Sequence, residues 1–167
     1  MTDWDSLVAQ EGPTVWRSLW KLLGDRADVE DCFQETFVTA VELSRREAVT
    51  SWPAVLIRMA TARGMDRLRS RYRVRRRQVV LEAAALGNAG GTTSTDDPVA
   101  LAIASELSER LRQGLTHLPN QHSEIFILFA MQGWSYREIA ERMNMTETAI
   151  RTTIHRARQR LRELLDI

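Results

Sequence analysis

Cysteine is almost missing: Cys32 stands alone among 167 residues, so no internal disulfide can brace the chain, which fits a reducing compartment. Set among apolar helical positions, Cys32 reads as a small core residue and not as a redox sensor. Long apolar runs are also missing, and none approaches the roughly 20 residues that cross a bilayer. The N-terminus carries Asp3 and Asp5 where an export signal would have basic and then apolar residues, so a cytoplasmic protein without membrane insertion is expected. No segment sustains the alternation of a strand, and an all-α fold follows. His117, His122 and His155 lack metal-ligand spacing, and no nucleophile motif accompanies them. Neither an enzyme, a cofactor nor a metal centre is therefore expected.

What is present is a charge pattern that the formal net charge of +1 conceals. Residues 1–57 have a net charge of −5, residues 58–77 carry 9 arginines against Asp66 alone, residues 78–109 have no basic side chain, and residues 110–167 return to +3. Two separated basic zones suggest two places where a polyanion is held.

The break in helical pattern is Leu86 to Pro98, rich in Gly, Thr and Asp, and it reads as a flexible acidic linker. Gly87, Gly90 and Gly91 do not make a phosphate loop, because no strand precedes them and no lysine follows. The expected division is an N-terminal domain over 1–80, a linker over 81–104 and a C-terminal domain over 105–167. In the first, Gly12-Pro13 is expected to open a helix that Gly24 stops; Val29, Cys32, Phe33 and Phe37 face the core in the next; Ser51 and Pro53 start a third. In the second, Leu107, Leu111, Leu115 and Leu118 make an amphipathic helix that Pro119 ends.

The most informative segment is Leu118 to Leu165. Ser135 can cap a helix while Glu138 reaches back, a capping box. Asn144 sits where the chain must turn, since Asn tolerates the left-handed conformation, and Thr146 can cap the next helix. That is a helix-turn-helix. In its second helix Ile150, Ile154, Ala157, Leu161 and Leu165 share one stripe. The opposite side gathers Thr148, Thr152, His155 and Gln159, flanked by Arg151, Arg156 and Arg162. This suits a recognition helix with donors for bases and phosphates.

Upstream, Asp28-Val-Glu-Asp-Cys-Phe-Gln-Glu-Thr-Phe37 leaves Glu30, Asp31, Gln34 and Glu35 outward, a surface for a basic partner. With that motif the chain resembles the extracytoplasmic-function sigma factors of bacterial RNA polymerase. The pieces stand in the family's order: Glu30-Asp31-x-x-Gln34-Glu35-x-Phe37, Arg58-Met-Ala60 leading to Asp66-Arg67-Leu68-Arg69, a linker, Leu118-Pro119, Gly133-x-Ser135-Tyr136-x-Glu138-Ile139-Ala140, and His155-Arg156-Ala157-Arg158.

The resemblance implies two small helical domains, the C-terminal one holding the helix-turn-helix, with core RNA polymerase, promoter DNA and an anti-sigma factor as partners. It implies that Asp31, Gln34, Glu35 and Phe37 dock on the polymerase clamp helices. It further implies that the helix from Trp52 to Arg69 recognises and opens the minus-ten element, with Arg58, Arg63, Arg67, Arg69 and Arg71 among the DNA contacts. The linker would thread toward the active centre, and Thr148, Arg151, Thr152, His155 and Arg156 would read the minus-thirty-five element. The sequence departs from the family's frequent residues at Ala62, Arg63, Ser123, Thr148, Ala149 and Thr153. The alternative is a stand-alone helix-turn-helix regulator that binds duplex DNA by itself, usually as a dimer.

Overall fold

The computed structural model describes residues 1–84 and 98–167. Among these lie seven helices and no strand: α1 (Trp4–Leu23), α2 (Arg26–Ser44), α3 (Trp52–Ala83), α4 (Pro98–Thr116), α5 (Asn120–Ala130), α6 (Tyr136–Met143) and α7 (Glu147–Leu165).

Helices α1 to α3 form the first unit. Asp3 caps α1 by accepting from the Ser6 amide, and Gly24 ends it in the left-handed region at φ 62° with its amide bonded to the Trp20 carbonyl. A side chain is disfavoured in that conformation. Asp25 then caps α2 through the Asp28 amide. Val15, Leu19, Leu22 and Leu23 of α1, Val29, Cys32 and Ala40 of α2, and Leu56, Ala60 and Leu68 of α3 make its core. Helices α1 and α3 approach closely at Gly64, where a Cβ atom would stand 2.6 Å from the Leu22 Cδ2 methyl. Burial of this kind, at about 1.5–3 kcal/mol for each large aliphatic side chain, offsets the entropy of ordering the helices.

Helix α1 differs from the expectation that Gly12-Pro13 opens it, because it begins at Trp4 and carries Pro13 inside. The reasons are non-local and local together. The Trp4 ring packs edge-on against Trp52 at 5.0 Å, Asp3 supplies a cap, and the Pro13 ring lies on the exposed side. Proline removes one hydrogen bond, which those contacts outweigh.

The second unit is α4 to α7, packed around Leu115, Leu118, Ile125, Leu128, Ile139, Ile150, Ile154, Ala157 and Leu161. Its boundary with the segment before it also differs from expectation. Helix α3 runs on to Ala83 and α4 starts at Pro98, so both ends of the expected 81–104 linker are helical. Proline suits a helix's first turn, and Val79-Val80-Leu81-Glu82 contains nothing that stops α3. The remainder of the expected linker, including its glycines, lies outside the described residues.

The two units share one apolar cluster. Helix α3 packs on α4 and α5, and a set of hydrogen bonds crosses the boundary. Ser18 Oγ donates to Gln132 Oε1 at 2.7 Å, Arg58 Nε to Glu124 Oε1 at 3.0 Å, and Arg69 Nη2 to Ser123 Oγ at 2.9 Å. The Tyr72 hydroxyl donates to Glu109 Oε1 at 2.7 Å, and Arg112 Nε to the Leu22 carbonyl at 2.9 Å. No helix of the described residues is long and apolar enough to cross a membrane.

Candidate nucleic-acid interface

The helix-turn-helix is built by its caps. Ser135 Oγ accepts from the Glu138 amide at 3.1 Å while Glu138 Oε2 accepts from the Ser135 amide at 2.7 Å, the full capping box. That backbone hydrogen bond holds the Glu138 carboxyl below its ordinary value. Asn144 ends α6 at φ 52°, ψ 49°, and Thr146 caps α7 through the Ala149 amide at 3.1 Å. The turn angle thus follows from side chains that satisfy otherwise unpaired helix-end amides.

With α7 set in this way, Ile150, Ile154, Ala157, Leu161 and Leu165 are buried, and Thr148, Arg151, Thr152, His155 and Arg156 are all exposed on the other side. The five residues expected to read DNA share one open face at the start of the helix. Thr153, one of the departures, is 8% exposed and belongs to the packing side.

The arginines of α3 are arranged differently from the expected open basic zone. Arg67 lies 3.6–3.7 Å from the carboxylates of Asp28, Asp31 and Glu35 on α2. Arg71 pairs with Asp28 and donates to the Leu23 carbonyl at 3.0 Å. Arg63 donates to Thr39 Oγ1 at 2.7 Å and stands 3.6 Å from Glu35. Arg58 holds Glu124 and also the Arg142 carbonyl at 3.2 Å, while Arg69 holds Ser123. All five are therefore engaged inside the protein, three toward α2 and two toward the second unit. A helix with arginines on several sides meets neighbours on each, and acidic neighbours claim the nearest guanidinium groups. Farther along, Arg73, Arg76 and Arg77 are exposed and make no ion pair among the described residues. Arg75 pairs with Glu109.

The two aromatic side chains of α3 are likewise engaged inside the protein. Trp52 meets Trp4, and Tyr72 is buried with its hydroxyl on Glu109. Burial and that carboxylate push the Tyr72 hydroxyl above its ordinary value. Burial raises Glu109 in turn, but the hydrogen bonds from Tyr72 and Arg75 outweigh it and hold the carboxyl low.

On α2, Asp31, Gln34 and Glu35 are exposed and line a shallow groove of about 420 Å³ with Val38, Thr39, Glu42 and Arg63. Phe37 is not part of that surface. It is buried at 9% exposure with its ring 4.9 Å from Phe33, on the core side of α2. Burial pushes the Cys32 thiol up despite the Arg67 guanidinium beside it.

Two family descriptions match the two units: Sigma-70 region 2 over residues 7–74 and Sigma-70, region 4 over residues 108–161. The RNA polymerase sigma factor CnrH of Cupriavidus metallidurans is 31% identical over 166 residues, covering 96% of this chain and 85% of that protein. The ECF RNA polymerase sigma factor SigE of Mycolicibacterium smegmatis is 30% identical over 165 residues. The chain belongs to the extracytoplasmic-function sigma factors. It spans 99% of its own length in the SigE match but only 62% of SigE.

Solved structures show this sigma factor's fold in others of similar build. The sigma factor RpoE in complex with the anti-sigma factor NepR from Bartonella quintana superposes with a TM-score of 0.55 at 21% identity, covering 100% of this chain and 99% of that one. CnrH in complex with the cytosolic domain of CnrY gives 0.58 at 22%, covering 98% and 87%.

Several groups that hold the two units of this sigma factor together are not legible in the sequence. Glu109, Glu124 and Gln132 gave no signal, because their partners lie 37, 66 and 114 residues away in the chain. Ser123 was visible as a departure, and the structure gives its use: it is fully buried and accepts from Arg69.

Proposed function

We propose that this sigma factor carries core RNA polymerase to a particular set of promoters and helps to open them, with α7 reading the upstream, minus-thirty-five element. The observation that supports this most is the open face of Thr148, Arg151, Thr152, His155 and Arg156 on a helix held by its caps and its buried stripe. Exposed donors there can meet base edges in a major groove. The acidic and amide face of Asp31, Gln34 and Glu35 is offered to polymerase, where a basic partner surface would complement it.

For the downstream, minus-ten element the phosphate-holding role falls first to Arg73, Arg76 and Arg77. Arg58 and Arg69 join them once α5 separates from α3, since each must release a partner to meet DNA. Arg63, Arg67 and Arg71 serve mainly to bind α3 to α2. The protein performs no covalent chemistry itself and works in the cytoplasm, where polymerase and promoter meet. The relatives solved with NepR and CnrY suggest an anti-sigma factor as a further partner for this chain.

A gel-shift series on promoter duplex, with and without core polymerase, tests the reading. The expected result is weak binding by the chain alone and a specific shift once core enzyme is added. Tight binding alone, as a dimer on paired half-sites, would instead make the protein a stand-alone regulator.

A further inference from the structure

The helix-turn-helix carries an assembly that its caps and core do not require. Phe129 of α5 and Tyr136 of α6 lie ring on ring, with centroids 4.9 Å apart and 13° between planes. The Arg151 guanidinium from α7 sits over the Tyr136 ring at 4.5 Å, and that of Arg158 sits over Phe129 at 5.2 Å. Three helices thus contribute to one column of arginine, tyrosine, phenylalanine and arginine. Packing alone accounts for the two rings, both half-buried. It does not account for an exposed arginine of the DNA face being drawn onto one of them.

Arg151 is held from a second side. Its Nη2 lies 4.0 Å from Glu147 Oε2, one turn earlier on the same helix. Its side chain nonetheless remains 61% exposed. A ring face attracts a guanidinium by its quadrupole, and a carboxylate attracts it by charge. Between the two, a long side chain with many rotamers is confined before any ligand arrives. That matters for base reading because a bidentate contact to one base edge depends on the plane and reach of the guanidinium. Ordering a free arginine at that moment would cost conformational entropy.

We propose that Tyr136 is a positioning residue for base recognition, its ring setting the Arg151 guanidinium so that one base is preferred at the position it reaches. This rests on the reading of α7 as the promoter-reading helix. Tyr136 acts through Arg151, so its removal relaxes the choice of base at one position and leaves the other positions of the element as they were.

The test is transcription by core polymerase with the full-length chain, on promoters differing by single base pairs across the upstream element. The variants are Tyr136→Phe, Tyr136→Leu, Arg151→Ala and the Tyr136→Leu/Arg151→Ala double substitution; Tyr136→Met, flexible and without a π face, replaces leucine should that variant unfold. Tyr136→Phe should keep the wild-type preference. Tyr136→Leu should lower the preference at one position about tenfold, within the range a bidentate contact supplies, and the double variant should be no worse than Arg151→Ala. Equal weakening on every template, or additive losses in the double variant, would overturn the proposal while leaving α7 as the reader. A uniform loss with Tyr136→Phe would also overturn it, by assigning the hydroxyl a phosphate contact. If Arg151→Ala leaves every base preference intact, Arg151 is no reader, and both the assignment of Arg151 and the role of Tyr136 fall together.

Discussion

Helix α3 has two halves of similar composition and opposite use. From Arg58 to Arg71 its arginines are tied to Asp28, Asp31, Glu35, Glu124 and Ser123. From Arg73 to Glu82 the side chains of α3 are exposed; Arg75 still pairs with Glu109, whereas Arg73, Arg76 and Arg77 make no ion pair among the described residues. A run of arginines in a sequence therefore says that a polyanion could be held nearby. It does not say which guanidinium groups the fold has already paired with its own acids. The first half lends its charge to architecture, and the second, Arg75 apart, keeps it exposed.

The largest effect is expected at Arg71. Its pair with Asp28 is partly buried, with both side chains near one-fifth exposed, so Arg71→Ala should destabilise the protein by about 2 kcal/mol. That lies between the small value of exposed pairs and the 3–5 kcal/mol of fully buried ones. Thermal or denaturant unfolding reads it, and an unchanged midpoint would remove the architectural role.

The complementary change is Arg73→Ala, Arg76→Ala and Arg77→Ala together. Each should shift stability by no more than about 0.5 kcal/mol. In the complex with core polymerase, the dependence of promoter binding on salt should become shallower by about 3 in log–log slope, one for each phosphate that is no longer neutralised. An unaltered slope would show that these arginines do not touch DNA.

The smallest effect concerns Arg75, the distal arginine that is tied down, through Glu109. The Glu109 carboxyl is held below its ordinary value in the folded protein. Its contribution is therefore present above the ordinary carboxylate pKa and is lost as pH falls through the lowered folded value. Exposure limits it to less than about 1 kcal/mol. Unfolding of wild type should lose more stability between neutral pH and pH ~3 than Glu109→Gln does. Identical pH profiles would mean that the Tyr72–Glu109–Arg75 contact adds nothing.

These contrasts follow the range over which information in the sequence acts. The capping box of Ser135 and Glu138, the Asn144 turn, the Thr146 cap and the Gly24 stop are legible because each depends on residues within four positions. The exposed face of α7 is legible because helical period alone assigns it. The start of α1 is not, since Trp4 is held by Trp52, 48 residues away. Phe37 is legible as a core residue from its helical spacing, and its ring does turn inward to Phe33; it is the family motif that sets it among docking residues. The pairing of Arg58 and Arg69 with α5 lies beyond reach for the same reason as the start of α1. Charge has no period, and its partner is known only once the two units are brought together.

If this chain gives core polymerase its choice of start site, that selectivity must travel with the purified chain. Purified core enzyme, the purified chain and a library of random promoters would test it in one transcription reaction. Transcripts should then start from a narrow class of templates sharing two separated sequence elements, and substitutions in α7 should alter the upstream element alone. Start sites indistinguishable from those of core enzyme by itself would contradict it.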